Sequence, residues 1–220
     1  MTIVAMIAEH WPMFGLRLRT PRLELRQPDL DDLAELASQA AGGVHDPAFM
    51  PFVTPWTDAE PGERARATIK WHWQVLSRWT PEHWALPMVA VADGRVIGTQ
   101  EIAAKNFAIL REVETGSWLG LAHQGKGYGT EMRAAVLALA FAGLGAEHAT
   151  TEAFATNHAS YRVSAKLGYQ ENGTQRHVVR GEPVIGRRMV LDRAGWDSAR
   201  TVEVEISGLE PCLAMFGLSS

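Results

Sequence analysis

Eight residues, His123-Gln-Gly-Lys-Gly-Tyr-Gly-Thr130, constrain this chain more than any other stretch. An apolar run (Trp118, Leu119, Leu121) precedes them, and an alanine-rich run from Met132 to Ala142 follows. The order reads as strand, glycine turn, helix. Glycine accepts the backbone conformations that turn consecutive N–H groups toward one point, and the start of a helix adds partial positive charge there. Such a turn is a cradle for phosphate. Two better-known phosphate turns fit less well, each failing at a single residue. Gly120 to Gly127 reads G-x-x-x-x-G-K-G, but Gly127 lacks the hydroxyl that a nucleoside-triphosphate loop needs for its magnesium. A dinucleotide pattern G-x-G-x-x-G begun at Gly125 would need a glycine where Thr130 stands.

Around this turn the chain reads as one domain, 1–220, with a core over about 18–196 and an apolar tail, 197–220. Leu23 to Arg26 alternates as a strand, and Asp29 opens a helix that runs to about Ala41. His45 to Asp58 holds three prolines and reads as a loop, followed by a helix from Pro61 to Ser77. Asp93-Gly94 joins strands Met88–Ala92 and Val96–Ile102 as a hairpin. Val113–Leu121 is the strand entering the glycine turn and Thr130–Gly143 the helix leaving it. Strand His148–Ala155 and helix Ala159–Leu167 follow. Val178 and Val184–Leu191 form a closing hairpin around Arg180 to Pro183. Strands and helices mixed in this way predict an α/β (α+β) layered domain.

Composition narrows the function. The net charge of −4 argues against nucleic acid as a partner. One cysteine, Cys212, rules out an internal disulfide and fits a reducing, cytoplasmic location. No run reaches the ~18 apolar residues of a membrane helix, so no membrane partner is expected. No metal site is expected. The tail carries Leu209, Cys212, Leu213, Met215, Phe216 and Leu218, too apolar to stay in water, so it packs on its own domain or on a second copy as a homodimer or higher homo-oligomer. Five of the eight tryptophans fall between Trp56 and Trp84.

The run Gln124-Gly-Lys-Gly127-Tyr-Gly129 resembles the pyrophosphate signature Q/R-x-x-G-x-G/A of the GNAT superfamily of acyl-CoA N-acyltransferases. Downstream, Asn157-His-Ala-Ser160 with Lys166-Leu-Gly-Tyr169 is similar to that family's N-x-x-S and K-L-G-F/Y element. Leu18 to Arg26 and Arg188 to Trp196 resemble the branch that acetylates ribosomal-protein N-termini, which includes users of succinyl-CoA. The resemblance implies a mixed, mostly antiparallel sheet splayed in the middle where coenzyme A inserts. It also implies acetyl-CoA or succinyl-CoA as acyl donor. The acceptor it implies is a primary amine, on a small molecule or a peptide N-terminus, that attacks directly in a ternary complex. A non-catalytic CoA-binding regulatory module of the same fold is the alternative.

Site expectations follow residue by residue. Backbone N–H groups of Gln124, Gly125, Lys126, Gly127, Tyr128, Gly129 and Thr130 are expected to hold the diphosphate, with charge from Lys126. Trp118, Leu119 and Leu121 are expected to offer main-chain groups to the pantetheine, and Asn157 to hydrogen-bond it or to cap a helix. The position where many of these enzymes carry an acidic tyrosine is Ser164, so Ser160, four residues earlier on the same helix face, is the first candidate to reprotonate the thiolate and Ser164 the second. Glu101 and Glu114 are the candidate bases. Acceptor recognition is expected on His45–Trp56, on the hairpin near His177–Glu182 and on Trp71, Trp73, Trp79 and Trp84. Arg176, Arg180, Arg187 and Arg188 would suit an acidic acceptor or a carboxylated acyl group.

Overall fold

Two tight turns set the long hairpins. Asp93 and Gly94 have φ of 49° and 74°, and Arg180 and Gly181 have 52° and 82°. Two consecutive left-handed residues make the turn whose twist matches the flanking strands. The computed structural model describes residues 3–219. Helix α1 (Ile3–Ala8) leads to the short strands β1 (Arg17–Arg19) and β2 (Glu24–Arg26), then to helices α2 (Leu30–Gly42) and α3 (Pro61–Ser77). The first hairpin is β3 (His83–Ala92) and β4 (Arg95–Lys105). A turn of helix, α4 (Phe107–Leu110), precedes β5 (Glu112–Leu119), and α5 (Tyr128–Ala138) follows the glycine turn. Then come β6 (His148–Phe154), α6 (His158–Lys166), the second hairpin β7 (Gln170–Val179) and β8 (Glu182–Asp192), α7 (Arg193–Ala199) and β9 (Glu205–Ser207). Among the described residues no helix is long and apolar enough to cross a membrane.

The strands form one sheet of nine in the order β7-β8-β6-β5-β4-β3-β2-β1-β9. Every pair is antiparallel except β5 and β6. That exception opens the site. The parallel ladder consists of Glu112↔His148, Val113↔Ala149 and Glu114↔Thr150, and then stops. Thr151 Oγ1 donates to the Thr115 carbonyl at 3.1 Å, and Thr150 Oγ1 to the Val113 carbonyl at 3.2 Å. Hydroxyls take acceptors that a continuing ladder would use. Beyond them Gly116–Leu119 and Glu152–Phe154 diverge, and the sheet has a V-shaped gap in its middle.

Pairing decides which side each residue takes, because partners across a ladder share a face. Glu101, Glu114, Gly116, Trp118 and Glu152 lie on one face, which α2 and α3 cover. Thr115, Ser117, Thr151 and Met189 lie on the other, packed against α5 and α6. Helix α5 is buried from Glu131 to Ala138, so its alanines serve close packing rather than solvent. It ends in a wider π turn over Leu139–Gly143.

Three expectations change here. The first strand of the closing hairpin runs over Gln170–Val179, beginning well before Val178. Strand β3 begins at His83, five residues before the expected start, and runs through Pro87. Neighbouring β2 pairs only with Val89–Val91, so nothing needs the N–H that Pro87 lacks. The apolar tail packs on its own chain. Cys212 and Phe216 are fully buried, Phe216 and Trp84 ring centroids are 4.8 Å apart, and Trp79 Nε1 donates to the Met215 carbonyl at 2.8 Å. This removes the reason for expecting a second copy. It also explains Trp79 and Trp84, which are core residues holding the tail rather than walls of an acceptor pocket.

Candidate active site

The glycine turn is held from beneath by side chains. Gln124 Nε2 donates to the Leu119 carbonyl at 2.9 Å and to the Val44 carbonyl at 2.7 Å, tying the turn to the end of β5 and to the loop after α2. On the helix side, buried Glu131 accepts from the Thr20 hydroxyl at 2.6 Å, the Arg22 backbone N–H at 3.0 Å and Arg22 Nε at 2.6 Å. Arg22 Nη1 donates in turn to the Lys126 carbonyl at 3.0 Å, and its guanidinium lies 4.8 Å from the Tyr128 ring centre. The clasp joins β1–β2 to the first turns of α5.

Within this frame the amides divide. The N–H of Gln124 donates to Leu121, and those of Thr130 and Glu131 donate to Gly127. No described residue accepts from Gly125, Lys126, Gly127, Tyr128 or Gly129. Five consecutive amides are therefore without an acceptor among the described residues, with Gly127 at φ +85° as the helix N-cap. The expected roles of Gln124 and Thr130 shift accordingly: the first anchors through its side chain, and the second caps internally. The Lys126 side chain is exposed, and the Tyr128 ring packs under Arg22.

An open cleft of about 1580 Å³ runs from this turn through the gap to the other side of the sheet. Alternation along β5 aims the main chain of Thr115, Ser117 and Leu119 at the gap and that of Trp118 at β4. The Leu119 carbonyl is already taken by Gln124. The main-chain groups facing the gap are thus those of Ser117 and the N–H of Leu119. Leu121 does not contribute: its N–H donates to the Gly43 carbonyl at 3.1 Å, and it lies outside the cleft wall. The Trp118 ring packs 5.7 Å from Trp56 on the α2–α3 face of the sheet.

Helix α6 supplies the opposite wall. Asn157 does cap it, accepting the Ser160 N–H at 3.2 Å, and it lines the cleft as well. Ser160 also lines the cleft. Ser164 does not. It is fully buried, donates to the Ser160 carbonyl at 3.2 Å and accepts from Arg133 Nη1 at 2.9 Å. Its hydroxyl supports an arginine.

Glu101 and Glu114 both reach the cleft from the far face. Burial, reinforced by the neighbouring Glu114 charge, pushes the Glu101 carboxyl up to about 7. A carboxylate poised there exchanges protons readily at neutral pH. Beside them Glu152 hydrogen-bonds His177, and a Cβ on Gly186 would overlap the Glu152 carboxylate, so that glycine makes the room. His72 also faces the cleft, with both ring nitrogens unpartnered, and burial lowers it to about 4. It stays neutral at physiological pH.

Several residues stand elsewhere than the sequence suggests. Trp71 lines the cleft, and Trp73 points outward. Arg180 pairs with Asp58, Arg187 lies 3.6 Å from Glu171, and neither these nor Arg176 and Arg188 reach the cleft. Of the two arginines that line it, Arg133 and Arg162, the buried one is Arg133, which sequence reasoning missed. The signal was present: a cation inside an alanine-rich helix with no solvent-facing side.

A family model described as an acetyltransferase (GNAT) domain matches residues 22–170. The structure of RimJ from Mycobacterium smegmatis in complex with CoA-disulfide superposes with a TM-score of 0.68 at 20% identity, covering 84% of this chain and 89% of that one. A GCN5-related N-acetyltransferase from Brucella melitensis gives 0.66 at 19% identity, covering 83% and 81%. RimL, a ribosomal L7/L12 alpha-N-protein acetyltransferase in complex with coenzyme A, gives 0.64 at 14%, covering 79% and 95%. With a free amide cradle, a splayed sheet and a family match over more than half its length, the chain belongs to the GNAT acetyltransferase family.

Proposed function

We propose that the protein transfers an acyl group from acyl-CoA to a primary amine by direct attack in a ternary complex. One observation carries the reading: five unpartnered amides, Gly125 to Gly129, stand at the mouth of a gap that crosses the sheet. The diphosphate sits on the amides, and the pantetheine follows the open edge of β5 past Ser117. The thioester then lies in the gap. The acceptor enters from the face bearing Glu101, Glu114 and Glu152, where three carboxylates favour a cationic amine. The ammonium first gives one proton to water, which frees its lone pair; Glu101 takes the second from the attacking nitrogen, and Ser160 lies on the α6 side to return one to sulfur. The open acceptor side suits a peptide N-terminus, the kind of group the printed name of RimL describes. Acetyl-CoA and succinyl-CoA are the two candidate donors, and the cytoplasm is the proposed location.

The experiment is thiol release measured with a disulfide reagent, using each donor against a panel of peptide N-termini and small amines. Cys212 does not interfere, because burial hides its thiol and raises it to about 11. Turnover with an amine supports the reading. Tight CoA binding without turnover favours a regulatory module. Stabilisation by ATP or NAD but not by CoA refutes the assignment.

A further inference from the structure

Arg133 is 4% exposed and lies where β5, α5 and α6 meet at the base of the gap. Its partners are hydroxyls: Ser164 Oγ at 2.9 Å from Nη1 and Ser117 Oγ at 3.4 Å from Nη2. No described carboxylate pairs with it, and its Nε has no partner at all. A guanidinium cannot shed its proton in a protein, and a buried charge without a counter-ion is costly. Such a group is a ready partner for any anion that reaches it. Arg133 borders the cleft, so such an anion arrives from there.

The geometry points to Arg133 as a catalytic residue that stabilises the coenzyme A thiolate as it leaves. This rests on the acyl-CoA reading above. From Leu119 to Thr115 the open strand edge runs about 13 Å. A pantetheine arm laid along it from the glycine turn runs past Ser117, whose hydroxyl lies 3.4 Å from Arg133 Nη2, and brings its sulfur into the gap beside that guanidinium. The carboxylates stand on the other face of the sheet, so the amine reaches the thioester carbon from the side away from Arg133. The amine lone pair attacks that carbon and the C–N bond forms. The nitrogen loses its proton to Glu101. The C–S bond breaks with its electron pair passing to sulfur, and the thiolate is held against Arg133 until it takes a proton from Ser160 or water. Charge that develops beside a fixed, preorganised cation is stabilised strongly. The other titratable or charged groups around this position are Tyr169 beyond α6 and, lining the cleft, Arg162 and Lys166 on α6 and Glu101, Glu114, Glu152, His72, His177, His45, Lys70 and Asp46 across the sheet.

The test is a titration of free coenzyme A bound to the whole protein, read as thiolate absorbance in the ultraviolet. Bound thiol in the unmodified protein is expected to titrate at least one unit below unbound coenzyme A, a tenfold shift worth about 1.4 kcal/mol. Arg133→Met is expected to abolish the shift and lower kcat about 100-fold with little change in KM. Arg133→Lys, which keeps a charge without the planar fork, is expected to keep part of both. A bound thiol that titrates like the free one in the unmodified protein overturns the proposal without any variant. So does a folded Arg133→Met that still shows the shift, or one that loses turnover with succinyl-CoA alone, since the guanidinium would then read an acyl carboxylate. Failure of coenzyme A to bind the unmodified protein overturns the acyl-CoA reading itself and this proposal with it.

Discussion

Replacing Glu131 with alanine probes the clasp that holds the cradle. The carboxylate is 5% exposed and accepts three hydrogen bonds, from Thr20, from the Arg22 backbone and from Arg22 Nε. Hydrogen bonds to a charged group contribute about 1.5–3 kcal/mol each. The Arg22 side chain is 48% exposed, so its charge returns to water when the partner is lost and the lower figure applies. The three bonds also depend on one another, which puts Glu131→Ala at about 3–4 kcal/mol. For a chain of this length that corresponds to a fall in Tm of about 10 °C. Binding suffers too, because Arg22 no longer positions the Lys126 carbonyl, and the Kd for coenzyme A is expected to rise about tenfold. Scanning calorimetry and titration calorimetry measure the two effects. A double-mutant cycle with Arg22→Met isolates the link and is expected to show about 2 kcal/mol of coupling. Additivity within about 0.5 kcal/mol would refute the reasoning, because the two residues would then act separately.

Gly127→Ala forces a side chain into a left-handed backbone, at about 1–2 kcal/mol, and brings a Cβ within 3.3 Å of Arg22; titration calorimetry should show coenzyme A binding weakened at least tenfold. Glu101 acts as a base only when ionised, so the rate should climb with pH through about 7, and Glu101→Gln should flatten that limb and lower kcat about 100-fold. Because its folded pKa lies above the ordinary carboxylate value of ~4.3, ionising Glu101 opposes folding, and the Gln variant should gain more stability at pH 8 than at pH 4 by denaturant titration. Ser160→Ala and Ser164→Ala should separate: the first lowers kcat with stability unchanged, and the second destabilises by about 1–3 kcal/mol by leaving Arg133 Nη1 unpartnered, as thermal melts would show.

The glycine turn was legible because its chemistry is local. A backbone that must turn left-handed beside a helix start needs glycine, and Gly125 and Gly127 stand where φ is positive. Hairpin turns at Asp93-Gly94 and Arg180-Gly181 and the Asp29 cap of α2 were legible for the same reason. The strand through Pro87 was not, since whether a proline is tolerated depends on a neighbour that ends early. The tryptophans misled because an aromatic side chain suits a pocket and a core equally well.

Roles that depend on distance along the chain belong to the fold. Glu131 meets Thr20 across 111 positions and Arg133 meets Ser164 across 31. Neither spacing leaves a period in the sequence. Ser164 could be matched to a motif by position, yet only its neighbours show that its hydroxyl is occupied. Local backbone geometry and helix-end chemistry write themselves into adjacent letters, so the chain alone announced a glycine turn with left-handed residues between a strand and a helix. Burial and counter-charge are properties of surroundings that folding assembles from distant segments. For that reason only the packed sheet could raise the Glu101 carboxyl, free five amides together and leave Arg133 without an anion beside an open gap.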